Sequence, residues 1–197
     1  MRALILPLIA VVLVAAVLAV EVSAGGGDYV PARPADPCVP RAVAPIPPRL
    51  EPLTERIVLL GLDRAACRLG VPRERLVLTL ADQRQLDPGT APALKAGLGD
   101  AVERLEREGR LPKASQLLPE VLAQADLPGF VKTIIGSIPD DTVDSALPTG
   151  AVLRRAIDQL DVARLIRDLD NPDALEPAIR SAMLRAVRDE LLERLRP

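Results

Sequence analysis

Residues 87–109, with the sequence DPGTAPALKAGLGDAVERLEREG, contain the entry and exit signals of a long α-helix. Asp87-Pro88 and Thr90 are typical of a helix start, because side-chain oxygens accept the first free backbone N–H groups. Gly109 is typical of a helix end, since glycine adopts the left-handed conformation that closes the last turn. The pattern predicts a helix that begins near Thr90 and runs through Glu108.

Similar helix start and end signals on both sides of this segment predict further helices and no β-strand. Before this helix we expect two short segments and a third one opened by a proline, over residues 53–61, 63–69 and 72–84. After it we expect helices over residues 113–125, 149–160, 162–169 and 172–194, with a short apolar segment at 129–135 and a loop at 136–141. The predicted fold class is therefore all-α, a compact bundle of short helices.

Residues 3–20 contain no charged side chain and consist almost entirely of Leu, Ile, Val and Ala. With Arg2 in front of them, they have the arrangement of an export signal. At roughly 18 residues the run approaches the thickness of a bilayer core, so a cleaved signal and a retained anchor both fit. Val22 and Ala24 stand where a signal peptidase reads modest side chains, which predicts cleavage after Ala24. We expect everything from about Gly25 onward to be extracytoplasmic, either secreted or anchored to the membrane by residues 3–20.

Residues 25–52 contain eight prolines. This density disfavours helices and favours an extended chain, so we interpret the segment as a semi-rigid linker. A proline-rich ligand at residues 45–49 is the alternative. The linker separates a signal or anchor segment, residues 1–24, from a helical domain, residues 53–197, which has a possible subdivision near 136–149.

Cys38 and Cys67 are the two cysteines of the chain. In an oxidising compartment an even count predicts a disulfide, and this pairing stabilises the fold by roughly 3 to 4 kcal/mol in the chain-entropy treatment. Two free thiols or an intermolecular bridge are the alternatives. Since the chain has no His and no CxxC motif, it offers little basis for a metal site.

The composition argues against several classes of partner. A formal net charge of −2 favours neither nucleic acid nor an anionic membrane. With one Tyr and one Phe, the chain lacks the aromatic faces on which sugars and bases stack. We expect no cofactor and no nucleic acid, and a partner that is a protein or another envelope component.

Residues 62–76 resemble the core of a helix-turn-helix, because an alanine stands four positions before Gly70 and a second helix follows. Three arginines, Arg68, Arg73 and Arg75, are the candidate phosphate contacts. The segment departs from the motif at Pro72, and an extracytoplasmic location argues against DNA. We therefore expect a plain helical hairpin.

The acidic stretch 168–176 places oxygen ligands at alternate positions, as a calcium loop does. The pattern fails because Pro172 occupies a ligand position and Ile179 stands where the bidentate Glu belongs. Acidic residues in the first turn of a helix are expected from the helix dipole. We predict no metal site here.

Catalytic groups are scarce. Without His, neither a Ser-His nor a Cys-His nucleophile is available. A Ser-Lys pair requires Lys95, Lys113 or Lys132 to be buried beside a serine, and carboxylate chemistry on sugars lacks an aromatic platform. We predict a non-catalytic envelope domain with a binding or structural role, and an enzyme that uses carboxylates is the least favoured alternative.

The most apolar stretch after the N-terminal run contains Phe130, Val131, Ile134 and Ile135. In a carrier of an apolar or lipid ligand, such residues line the ligand site. Packing in the core is the other interpretation of the same residues.

Overall fold

The computed structural model describes residues 5–26, 33–82, 87–125 and 127–194. Throughout these ranges the regular secondary structure is α-helical, with ten helices and no β-strand. The prediction of an all-α fold is confirmed. Contacts divide the chain into two compact units, Met1–Pro34 and Ala35–Pro197.

The first unit contains helix α1 (Ile5–Ser23), in which Glu21 is the charged residue. Its side chains from Ile9 onward are exposed. Ala24, the predicted cleavage position, lies in the turn after the helix, where its N–H donates to Val20 O at 2.9 Å. Among the described residues, no helix has both the length and the hydropathy of a membrane span. The signal or anchor function of residues 3–20 stays a prediction, and residues 3 and 4 lie outside the described ranges.

The second unit contains nine described helices. In chain order they are α2 (Leu50–Leu69), α3 (Arg73–Ala81), α4 (Thr90–Arg107), α5 (Ala114–Gln124), α6 (Gly129–Gly136), α7 (Asp140–Ala146), α8 (Thr149–Gln159), α9 (Val162–Arg167) and α10 (Pro172–Arg194). Helices α2 and α4 form the central pair, α8 packs on α4, and α10 packs on α8.

The central pair crosses closely because small residues meet at the crossing. A Cβ atom on Gly97 of α4 would lie 2.4 Å from the carbonyl oxygen of Gly61 on α2. Ala65 and Ala101 lie one turn further along the two helices and are completely buried. The two backbones therefore approach to a distance that larger side chains would prevent.

Aliphatic side chains fill the interior, as the composition predicts. Leu76, Val102 and Leu105 are the largest fully buried side chains. One cluster surrounds the α2–α4 pair, a second joins α2 and α3 to α4 and α9, and a third joins α8 to α10. Phe130 does not contribute to these clusters, because 69% of its surface is exposed.

Two predicted boundaries are wrong. Residues 53–69 form one continuous helix with no break, and that helix begins at Leu50. Pro52 is accommodated because backbone N–H groups in a first turn have no partner within the helix. The predicted loop at 136–141 contains the start of α7, whose Val143 is buried. The predicted end of α3 near residue 84 lies outside the described residues.

Candidate interaction surface

Cys38 and Cys67 form a disulfide with sulfur atoms 2.03 Å apart, which confirms the predicted pairing. Cys67 lies on α2, and Cys38 lies in a turn closed by a 2.8 Å hydrogen bond from its N–H to Asp36 Oδ1. The disulfide therefore fixes the proline-rich segment to the central helix.

Residues 35–49, which we call the arm, pack against the helical unit. Two arginines hold its backbone: Arg104 donates to the carbonyl of Arg41 at 2.8 Å, and Arg110 donates to the carbonyl of Val43 at 2.6 Å. The Val43 side chain is 7% exposed and belongs to the cluster around α2 and α4. This part of the predicted linker is thus integrated into the fold.

Asp63 is a carboxylate of α2 that is only 7% exposed. Its oxygens lie 3.3 Å from Arg41 Nε and 3.4 Å from Arg73 Nη1. A buried charge is tolerated when it is paired, and the two guanidinium groups supply that pairing. We assign Asp63 to the attachment of the arm.

The segment that resembles a helix-turn-helix forms the predicted helical hairpin of α2 and α3. Gly70 ends α2 in the left-handed conformation, with φ 66°, and Ala66 is completely buried. Two of the candidate phosphate contacts are engaged with carboxylates: Arg68 lies 2.6 Å from Asp100, and Arg73 is paired with Asp63 and with Glu74. These pairs compete with any phosphate contact.

Two of the three lysines considered for catalysis, Lys95 and Lys113, are engaged elsewhere. Lys113 is mostly exposed and its Nζ lies 3.6 Å from Asp144, while Lys95 donates to the carbonyl of Asp158. A 2.9 Å hydrogen bond from the Ser115 backbone N–H holds the pKa of Asp144 below its usual value. Asp144 is therefore a charged partner for Lys113.

The acidic stretch considered for calcium does not gather into a ligand set. Asp168 ends α9 and pairs with Arg164 at 3.5 Å, and Asp173 lies in the first turn of α10. Within the described ranges, no three Cys, Asp or Glu side chains lie close enough together to hold a metal ion.

The residues predicted to contact a ligand lie on α6, and two of them point into solvent. Phe130 and Ile134 are one helical turn apart and are 69% and 61% exposed. Leu127 and Ile138 lie just before and just after α6 in the sequence and are 39% and 40% exposed. We call these four side chains the α6 face. Core packing, the other interpretation of this segment, is wrong for Phe130 and Ile134.

The remaining two residues of the predicted set, Val131 and Ile135, are half-buried. Helix α6 packs chiefly on α5 and has no fully buried side chain. The sequence prediction does not include Ile138, which follows the end of α6.

The hydroxyl groups of Thr133 on α6 and of Ser137 at its C-cap donate to carbonyls of the same segment. Thr133 Oγ1 donates to the carbonyl of Gly129 at 3.0 Å, and Ser137 Oγ donates to the carbonyl of Ile134 at 2.7 Å. Lys132 is the one charged residue in the sequence from 127 to 139. The segment is therefore suited to an apolar contact, because its hydroxyl groups need no outside partner.

Three surface pockets, of about 220, 360 and 600 Å³, lie away from this face. The first lies between α4, α5 and α8, the second between α4 and α8, and the third between α2 and α5. None of the three is lined by a residue of the α6 face. The face thus presents projecting side chains rather than the walls of a cleft.

Comparison with known proteins gives no match: no protein-family model, no curated protein and no solved structure is similar to this chain.

Proposed function

We propose that this chain is a non-catalytic, extracytoplasmic domain of the cell envelope that acts by binding through the α6 face. The observation that most strongly supports this proposal is the exposure of Phe130 and Ile134 on α6. The hydroxyl groups of this segment already donate hydrogen bonds to its own carbonyls. Exposed apolar side chains that neighbour one another on a protein surface mark a candidate interaction site.

The packing of the rest of the unit supports this proposal. The interior is built from aliphatic residues, and the one Phe of the chain stays outside it. Burying a Phe side chain is worth about 1.5 to 3 kcal/mol, so its exposure forgoes a substantial gain in folding. A partner that covers the α6 face recovers that gain on binding.

The extracytoplasmic location is supported by the Cys38–Cys67 disulfide, because disulfides persist in oxidising compartments. The apolar run at residues 3–20 and the modest side chains before Gly25 support export in the same way. A non-catalytic role is supported by the absence of His from the sequence and by the ion pairing of Lys113.

Intact mass measurement tests the location. The chain is expressed in an export-competent host, and membrane and soluble fractions are denatured in alkylating reagent without reductant. We expect both cysteines to stay unmodified, in a full-length membrane species or in a soluble species that begins at Gly25. Two alkylated cysteines in a cytoplasmic species would contradict the proposal.

Site-specific photocrosslinking in the same host tests the binding surface. We expect a crosslinking amino acid at position 134 to form adducts with an envelope component. Position 78 on α3 is the matched control, because Leu78 is 71% exposed but lies far along the chain from the α6 face. Equal labelling from the two positions would remove the α6 face as the binding site.

The carrier alternative predicts a different result. A carrier retains its ligand, so lipid would co-purify with the domain in native mass spectrometry. We expect a ligand-free domain, since none of the three pockets includes the α6 face.

A further inference from the structure

We infer that the partner of the α6 face is the surface of a lipid bilayer, into which Phe130 and Ile134 insert. The inference rests on the proposed extracytoplasmic binding role and names the partner. Four features of the second unit and of the sequence support it.

The α6 face has the shape and chemistry of a shallow membrane insertion. Its side chains project from the surface, and none of the three pockets described above is lined by them. The hydroxyl groups of Thr133 and Ser137 donate hydrogen bonds to carbonyls of their own segment. An apolar phase offers no hydrogen bonds, so it penalises unsatisfied donors, and these two donors are satisfied.

The charges near the face favour a zwitterionic surface over an anionic one. Lys132 is half-buried on α6, and a lysine of this kind can extend its apolar stem so that the ammonium group reaches a headgroup layer. Asp140 and Asp141, both exposed at the start of α7, oppose attraction to anionic lipid. The contact is therefore apolar rather than electrostatic.

The sequence supplies a reason why so small a face suffices. Helix α1 is apolar over most of its length, and eleven residues, from Ala24 to Pro34, separate it from the second unit. A fully extended stretch of this length spans at most about 40 Å. If residues 3–20 are retained as the proposed anchor, the α6 face stays at a high local concentration of lipid, and a weak contact is sufficient.

Tryptophan fluorescence tests this inference directly, because the chain contains no Trp. Phe130→Trp places the single Trp on the α6 face of the full chain, and Leu78→Trp places it on α3 as the control. Each variant is mixed with excess phosphatidylcholine vesicles, with and without brominated acyl chains. We expect Trp at position 130 to emit at shorter wavelength and to be quenched by bromine, and Trp at position 78 to do neither.

Flotation of the same samples separates this inference from the proposed anchor. Flotation reports whether the chain is held on the vesicles, whereas Trp at position 130 reports whether α6 enters the lipid. Water-like emission from position 130 would overturn the inference whether or not the chain floats, and would leave a protein as the partner. A shift at position 130 without flotation would support lipid insertion while removing the anchor.

A second variant checks that the shift depends on the apolar face. Ile134→Asp, combined with Phe130→Trp, introduces a carboxylate beside the reporter on an exposed side chain and should abolish the shift without loss of helix content by circular dichroism. Added phosphatidylserine or high salt should leave the shift of the parent variant unchanged. A shift that required anionic lipid would contradict the apolar contact described above.

Discussion

At the scale of single residues, two glycines of α4 that look alike in the sequence have opposite roles. A Cβ atom on Gly97 would meet the backbone of α2 at 2.4 Å, whereas one on Gly99 would meet nothing within 4 Å. We predict that Gly97→Ala lowers the free energy of unfolding by about 1 to 3 kcal/mol or more, because the helices must separate. Urea unfolding monitored by circular dichroism measures this change.

Gly99→Ala is the matched control on the same helix. Replacing an unconstrained helical glycine by alanine raises the free energy of unfolding by about 0.5 to 1 kcal/mol. A similar loss of stability in both variants would show that the close crossing of α2 and α4 does not depend on Gly97. The sequence predicts the helix that contains both glycines, but it does not reveal which one faces Gly61, since that depends on how α2 packs.

Asp144 gives the unit part of its stability at neutral pH. Its pKa is held below the usual 3.8, first by the backbone N–H of Ser115 and also by Lys113. A carboxyl whose pKa is lower in the folded state contributes stability above its unfolded pKa, and this contribution is lost as the pH falls through the folded value. We predict that Asp144→Asn reduces the slope of the unfolding free energy against pH below about pH 4.

Urea midpoints measured across the acid range check this prediction. Some pH dependence should remain in the variant, because hydrogen bonds from Arg104 and Arg188 lower the pKa values of Glu108 and Asp189 in the same way. An unchanged slope would mean that Asp144 has the same pKa in the folded and unfolded chain.

At the scale of helices, the start of α2 depends on a residue of another helix. Arg49 makes no side-chain capping bond, and the N–H of Leu50 donates instead to Glu120 Oε2 on α5 at 3.0 Å. We predict that Glu120→Ala lowers the free energy of unfolding by about 1 kcal/mol, as the loss of a cap does elsewhere.

Glu120→Gln retains an oxygen that accepts the Leu50 N–H and should keep most of that stability. The comparison is made by urea unfolding of both variants. Equal destabilisation by Ala and Gln would indicate that the charge of Glu120, rather than the hydrogen bond, supports α2.

The same contact explains why the sequence pattern predicts the start of α2 at residue 53, whereas the helix begins at Leu50. Local signals around Pro52 favour an extended chain, and the group that caps α2 lies 70 residues away. By contrast, the bounds predicted for α10, residues 172–194, agree with the structure because local signals are sufficient there. The glycine, serine and proline of residues 136–139 favour a loop and obscure the start of α7, although Pro139 and the two acids after it also fit a helix start.

The location of the candidate site was predictable only in part. The apolar character of Phe130 and Ile134 is visible in the sequence, but their exposure is not, since apolar residues at helical spacing are usually part of a core. Their exposure follows from tertiary structure, in which α6 packs chiefly on α5 and stays outside the three clusters.

At the scale of the whole molecule, one covalent bond and several weaker contacts attach the arm to the helices of the second unit. The pairing of Cys38 with Cys67 was predictable, because the chain has two cysteines. The hydrogen bonds from Arg104 and Arg110 to arm carbonyls were not, since they join residues more than 60 positions apart. The arm is therefore held both by the disulfide and by non-covalent contacts.

We predict that Cys38→Ser combined with Cys67→Ser lowers the free energy of unfolding by roughly 3 to 4 kcal/mol, because the unfolded chain regains the entropy of a 29-residue separation. Helix content by circular dichroism should be retained, since the α2–α4 pair does not need the bond. Hydrogen exchange should show faster exchange in residues 35–49 than in α2.

Val43→Ala, with the disulfide intact, is the comparison for the non-covalent attachment. It removes two methyl groups from a nearly buried side chain and should cost about 1 to 2 kcal/mol while leaving the arm protected from exchange. If the double serine variant keeps the arm as well protected as the parent, the non-covalent contacts, which include those of Asp63, Arg104, Arg110 and Val43, are sufficient to hold it in place. Protection lost equally from the arm and from α2 would instead mean that the disulfide stabilises the unit as a whole.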